Sequence, residues 1–355
     1  MGLKAKYTTH ELAFKKPATT SRGAYNSRQI HLIHLHNPGY PDIIGMGECA
    51  PLAGLSSDDS PDFEKHLAEL VKRINKGKAD DFNLTDFPSL KFGLETALLD
   101  LRNGGKRIIF KNLYSIGRMG IPINGLIWMS DPDSMKKEIL EKINHGFECI
   151  KIKIGALDFE EELKVLSFLR KQKGAEKLIV RLDANGAFKE DDVLSKLKEL
   201  RKYNIHSIEQ PIKAGQHELL NEICRKSPIP IALDEELIGI NLEEDFDKLL
   251  SNIQPHFIVL KPNLVGGFAQ TENWIKHAEK KGIKWWITSA LESNIGLNAI
   301  AQFAAGHNNN LHSGLGTGQL YLNNFNPHTH IRMGYLWRDM GTKKTDTIAQ
   351  PGSIS

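Results

Sequence analysis

Residues 148–154 read Glu148-Cys149-Ile150-Lys151-Ile152-Lys153-Ile154, and their alternation decides the fold. A period of two is that of a β-strand, so Ile150, Ile152 and Ile154 share one face while Lys151 and Lys153 share the other. Charged amphipathic stretches flank the segment, as in 158–171, so the strand belongs to a βα unit whose apolar face lies against helices. The two lysines therefore point inward. Buried ammonium groups are costly unless carboxylates or a substrate meet them, which makes the inside of this sheet a place of chemistry.

From this segment the same rhythm runs in both directions with a beat of about 25 to 30 residues. Strands are expected at 121–126, 148–154, 178–183, 207–210, 229–234, 257–261, 284–289 and 311–316, with helices such as 158–171, 189–202 and 271–281 between them. Eight parallel strands close into a barrel, whereas a doubly wound sheet usually stops nearer six. In such a barrel functional groups stand at the C-terminal ends of the strands. Those ends read Lys151-Ile152-Lys153, Arg181-Leu182-Asp183-Ala184-Asn185, Glu209-Gln210-Pro211, Asp234-Glu235-Glu236 and Lys261-Pro262-Asn263.

One such acid is as easily a helix N-cap or a lysine's partner. Asp183, Glu209 and Asp234, however, hold the same rank on consecutive strands, where their charges repel unless a cation neutralises them. Mg²⁺, which prefers oxygen ligands and keeps open positions, suits a carboxylate-only set, with Mn²⁺ as a possible substitute. Lys153 then becomes a candidate base, its ammonium destabilised by the neighbouring Lys151 and the metal. Lys261, across the barrel, is placed to stabilise negative charge or to act from the other side. Arg181 shares the inward face with Asp183 and is expected to pair with Glu209 or another acid.

The first third differs. Short alternating strands are expected between Tyr7 and Ala50, followed by helices at 62–74 and 89–102, giving an α+β domain over 1–118 that the tail 323–355 rejoins. The barrel domain takes 119–322. The final residues of the tail, around Gly352, are expected to be loose. The charge of +3 is dispersed and argues against nucleic acid or an anionic membrane as partner. No run reaches membrane-spanning length. Cys49, Cys149 and Cys224 form no CxxC pair, which fits a reducing, cytoplasmic setting, and the dispersed charge suits a small polar substrate better than a polyanion; the oligomeric state stays open.

Together, the Lys-x-Lys of Lys151 and Lys153, the Asp-x-Asn of Asp183 and Asn185, the Glu-Gln-Pro from Glu209, the Asp-Glu at Asp234 and the lysine at Lys261 resemble the enolase superfamily, in its muconate-lactonizing subgroup. The resemblance implies a modified TIM barrel of (β/α)7β type under an α+β capping domain. It also implies that segments 47–51 and 19–25 are loops closing over the substrate. A lysine base working with Mg²⁺ is inherited from the superfamily. Ser289-Ala290-Leu291-Glu292-Ser293 with Gly296, and Gly314-Leu315-Gly316-Thr317, are similar to the o-succinylbenzoate synthase family, dehydratases of menaquinone synthesis. Dipeptide epimerases of the subgroup carry an Asp-x-Asp where this chain has the second of these segments.

The implied chemistry is loss of an α-proton to Lys153, an enediolate held by metal and Lys261, and departure of water. Lys151 tunes Lys153, and Asn185, Ser289 and the Gly314 backbone contact substrate. Racemisation of N-acylamino acids or epimerisation of dipeptides is the alternative, and a non-catalytic barrel the remote one. His31, His34 and His36 are not read as a metal site, nor 314–318 as a phosphate loop. At least one of Trp285 and Trp286 is expected in the core. Of Glu235 and Glu236, one is expected near the metal set and the other exposed.

Overall fold

The structure, a computed structural model, describes residues 2–20, 23–172 and 174–340. The chain opens with three antiparallel strands in the order β1 (Lys4–Thr20), β2 (Gly23–Asn37), β3 (Tyr40–Cys49). These strands are long where short ones are expected. Alternation continues through β1 because a register shift between Ala13 and Ala18 absorbs its irregular middle. Two helices, α1 (Phe63–Asn75) and α2 (Pro88–Arg102), fall where the periodicity predicts them. Helix α2 lies so close to β3 that a Cβ on Gly47 would stand 1.9 Å from Gly93 O, and one on Gly45 2.1 Å from Ala97 O. The glycines of 45–47 are thus a packing requirement inside a strand. Segment 47–51 is accordingly no closing loop: the strand runs to Cys49, and Glu48 is buried. Segment 19–25 holds the end of β1 and the start of β2; residues 21 and 22, where the expected loop would turn, lie outside the described residues, and Tyr25 lines the cavity described below.

The expected strand at 121–126 is divided. Strand β4 (Ile121–Pro122) joins a small sheet, and β5 (Gly125–Ile127) begins the barrel. There follow α3 (Pro132–Asn144), β6 (Cys149–Lys153), α4 (Phe159–Arg170), β7 (Ile179–Asp183), α5 (Val193–Leu200), β8 (Ser207–Glu209), α6 (His217–Lys226), β9 (Ile231–Leu233), α7 (Glu243–Ile253), β10 (Phe257–Leu260), α8 (Pro262–Val265), α9 (Gly267–Lys280), β11 (Lys284–Ile287) and α10 (Asn294–Ala304). The seven strands are parallel neighbours in the order β11-β10-β9-β8-β7-β6-β5.

The expected strand at 311–316 is reduced to single bridges, Ser313 with Ile123 and Gly314 with Thr288. Gly314 N donates to Ile287 O at 2.9 Å and Asn124 N to Ser313 O at 3.0 Å, so this segment closes the barrel between its first and last strands. A Cβ on Gly314 would lie 2.0 Å from Thr288 Oγ1, which explains the glycine. Strand β12 (Thr329–Arg332) pairs with β13 (Tyr335–Arg338), which pairs in turn with β4, while Lys15 N donates to Leu320 O and Leu322 N to Ala13 O, both at 2.8 Å. The tail thus returns to β1 at 320–323 and to the start of the barrel after it. The expected loose end at Gly352 lies outside the described residues.

Side-chain direction follows the alternation. Ile150, Ile152, Ile154, Leu182, Ile208, Leu233 and Ile258 pack outward into the core shared with the helices. Ala232, Phe257, Val259 and Trp286, with Leu311, form a separate cluster of inward-facing residues. Trp285 and Trp286 are both buried, on opposite faces. Arg181 departs from expectation: its guanidinium lies 3.9 Å from the Trp286 ring centroid and Nη1 donates to His312 O at 2.7 Å. Among the described residues it takes no acid as hydrogen-bond partner, and Lys151 holds Glu209 instead. Among the described residues no helix is long and apolar enough to cross a membrane.

Candidate active site

Register brings the strand-end residues together. Lys153 pairs with Asp183 across β6 and β7, and Asp183 with Glu209 across β7 and β8. Asp234 and Lys261 each follow the last residue of β9 and β10. All five, with Lys151, are buried or nearly so; Asp183, Glu209 and Asp234 are 1, 2 and 2 % exposed.

The charges interlock. Lys151 Nζ lies 2.7 Å from both Glu209 oxygens and 2.8 Å from Asp183 Oδ2. Lys153 Nζ donates to Asp183 Oδ2 at 3.0 Å and to Asn185 Oδ1 at 2.6 Å. Lys261 Nζ pairs with Asp234 Oδ2. Burial works to discharge Lys151, but Asp183, Glu209 and Asp234 outweigh it and raise its pKa; Lys261 is raised in the same way, chiefly by Asp234. These two lysines are held as ammonium groups. Burial pulls Asp183 up, yet Lys151 and Lys153 bring it well below the usual carboxylate range. Glu209 is pushed up by burial and by the charge of Asp183.

The three acids do not converge on one point; among the described residues no group of three His, Cys, Asp or Glu is drawn together to hold a metal, and Lys151 stands between Asp183 and Glu209. The donor chemistry nevertheless fits a hard cation. Three oxygen-only side chains occupy one rim, and the elevation of Glu209 by its like-charged neighbours is a strain that added positive charge relieves.

Lys151, Lys153, Asp183 and Lys261 line a cavity of about 70 Å³ together with Asn185, Ser289 and Gly314. The expected substrate contacts therefore reach the same cavity. Asn185 sits at φ 43° and also donates Nδ2 to Glu235 Oε1 at 3.0 Å, so its amide holds Lys153 rather than standing free. Ser289 Oγ lies 2.6 Å from Thr317 Oγ1. Gly314 spends both backbone polar groups on barrel closure. Neither Glu235 nor Glu236 is exposed: Glu236 accepts Gly215 N at 2.9 Å, so the expectation of a solvent-facing acid fails.

Sequence reasoning missed part of the wall, namely Leu52, Leu55, Asn124, Leu126, Trp128 and Thr288, whereas Tyr25, Leu291 and Thr317 fall in segments it had singled out. Trp128, whose ring centroid is 5.6 Å from Lys153 Nζ, had a signal, since it follows the first barrel strand directly once that strand is correctly placed at 125–127. Asn124, Leu126 and Trp128 also line a neighbouring cleft of about 710 Å³, together with Lys15, Lys16, Lys137 and Lys142.

Behind the wall, Glu292 is wholly buried and its carboxyl is pushed up to about 7 by burial, against the pull of Arg28 and with the push of Glu48. The folded state therefore binds this proton more tightly than the unfolded chain. Its contribution to stability is full below the ordinary glutamate range and is lost as pH rises towards 7, by roughly 3 kcal/mol. Glu292→Gln should accordingly lose less stability than the parent between pH 5 and pH 8 in thermal melts; equal losses would refute the assignment.

A model of the enolase C-terminal domain-like family matches residues 134–339, more than half of the chain. The chain belongs to the enolase superfamily. A model of the MenC N-terminal domain matches residues 5–101. The o-succinylbenzoate synthase of Desulfotalea psychrophila is 40% identical, covering 94% of this chain and 99% of that protein. An L-Ala-D/L-amino acid epimerase of Flavobacterium johnsoniae is 30% identical, covering 82% and 84%. The crystal structure of MenC from Desulfotalea psychrophila superposes with a TM-score of 0.83 at 37% identity, covering 95% of this chain and 100% of that one. This enolase-superfamily chain thus carries the expected modified barrel and its cap.

Proposed function

We propose that this enolase-superfamily member is an o-succinylbenzoate synthase, a hydro-lyase of menaquinone synthesis acting in the cytoplasm on a small carboxylate. The observation that carries the reading is Lys153 and Lys261 lining one cavity with Asp183, on a chain similar over nearly its whole length to a protein of that activity. Asp183, Glu209 and Asp234 would hold a divalent cation, Mg²⁺ or Mn²⁺, which when bound supplies Lewis-acid polarisation of the substrate carboxylate.

The chain's own groups divide the remaining work. Lys153 takes the proton from the carbon beside that carboxylate. The resulting ammonium is met by Asp183, by Asn185 Oδ1 and by the face of Trp128. Lys261, kept charged by Asp234, presents positive charge where negative charge develops. The C–O bond of the β-hydroxyl then breaks and water leaves, Lys153 returning its proton to the departing oxygen. Lys151 neutralises Asp183 and Glu209 while Lys153 changes charge.

Racemisation or epimerisation uses the same lysines, and one relative bears the name of an epimerase. Against it stands the segment 314–317, which lines the cavity without an acid to receive a substrate ammonium. Purified protein with Mg²⁺ should convert the cyclohexadiene precursor to o-succinylbenzoate, seen as new aromatic absorbance. Turnover of N-succinylamino acids or dipeptides alone would overturn the assignment.

A further inference from the structure

Three ionisable side chains outside the lysine and carboxylate cluster are buried behind the cavity wall: Arg28, Glu48 and Glu292, at 5, 0 and 0 % exposure. Arg28 comes from β2, opposite Leu12 of β1. Its Nη1 donates to Ala290 O and its Nη2 to Ala50 O. Ala290 lies in the wall itself, beside Ser289 and Leu291; Ala50 leads into Leu52 and Leu55, which line the same cavity. One guanidinium thus grips a carbonyl from the barrel and a carbonyl from the cap. A planar fork of fixed donors does this where a lysine or a neutral side chain offers no such pair.

The loop it grips needs holding. Leu291 stands at φ 64°, a left-handed conformation unfavourable for a branched residue. Ser289 N donates to Gly314 O at 3.1 Å, and the next backbone groups of the loop are taken up by side chains. Ala290 N donates to Glu292 Oε2 at 2.7 Å, and Tyr321 OH donates to Leu291 O. Glu48 accepts Ser293 N and Gly296 N, both at 2.9 Å, anchoring the start of α10 to β3. Gly296 is required there, since a Cβ would stand 2.9 Å from Glu48 Oε2.

We infer that Arg28 is a positioning residue of this enzyme: it locks the barrel loop 289–291 to the cap segment after Cys49 and so fixes two walls of the substrate cavity against each other. The inference rests on the cavity being the substrate site. Ser289, Ala290 and Leu291 carry no group assigned to proton transfer. Loosening them weakens substrate and transition state alike, which appears in KM more than in kcat.

The test compares Arg28→Met, Arg28→Lys and Tyr321→Phe with the parent, using Mg²⁺, the cyclohexadiene substrate and thermal melts. Arg28→Met is expected to raise KM about tenfold or more, the worth of one to two hydrogen bonds, with a much smaller change in kcat. Arg28→Lys should fall between it and the parent. Tyr321→Phe, which loses one hydroxyl at the far end of the loop, should move KM in the same direction. A folded Arg28→Met with the parental KM overturns the inference. If that variant does not fold, parental KM in both Arg28→Lys and Tyr321→Phe overturns it. Lys153→Ala, assayed alongside, separates the two readings: turnover there counts against the chemistry assigned to the cavity, and an unchanged KM in the other variants counts against the clamp.

Discussion

Lys153→Ala should turn over about 10³- to 10⁴-fold more slowly than the parent, the usual worth of a positioned proton-transfer group, while melting at nearly the same temperature. The retained stability follows from the geometry. Removing Lys153 leaves Asp183 paired with Lys151 at 2.8 Å, so no carboxylate is abandoned. The neighbouring Lys151→Ala makes the contrast. It strips Glu209 of its only ammonium contact among the described residues and leaves Asp183 with Lys153 alone. Breaking a buried pair in this way costs about 3–5 kcal/mol. A slow but stable Lys153 variant beside a destabilised Lys151 variant is the expected pattern in circular-dichroism melts and steady-state assays. Equal destabilisation of both would mean that Lys153 is as structural as its neighbour.

Exhaustive chelation is expected to take turnover below detection, and added Mg²⁺ to restore it, with Mn²⁺ as substitute. Four buried or half-buried carboxylates, Asp183, Glu209, Asp234 and, through Asn185, Glu235, outnumber the three lysines Lys151, Lys153 and Lys261 that they surround. Added positive charge is therefore favoured where Glu209 is pushed up by its neighbours. Lewis-acid polarisation of a carboxylate is worth several kcal/mol in the barrier, which is several powers of ten in rate. Asp234→Asn should weaken cation binding measured calorimetrically, because it replaces a carboxylate with a neutral amide oxygen and removes the negative charge that Lys261 faces. Activity unchanged after chelation would contradict the ligand assignment.

The barrel and the charged cluster were legible in the sequence for one reason. A strand's period of two and a βα beat both leave marks over neighbouring residues, and Lys151, Lys153, Asp183, Glu209, Asp234 and Lys261 each end a marked strand. What lay between distant parts of the chain left no mark. Arg28 meets Ala290 across 262 positions and Glu48 meets Ser293 across 245, with no local pattern to announce either contact. Arg181 was misassigned because its inward direction was readable but its partner, the Trp286 ring, was not. The closing strand at 311–316 failed as a strand because its glycine answers a close approach to Thr288, a tertiary fact. The loop implied at 47–51 failed in the same way, because Gly47 makes room for α2 inside a strand.

The fate of a single hydrogen gives the sharpest test. Substrate carrying deuterium at the carbon beside the carboxylate, followed in single turnover with Mg²⁺, is predicted to react more slowly than the protiated form in the parent enzyme, and to keep its deuterium in Lys153→Ala. Release of that deuterium at the parental rate in Lys153→Ala would show that another group removes it.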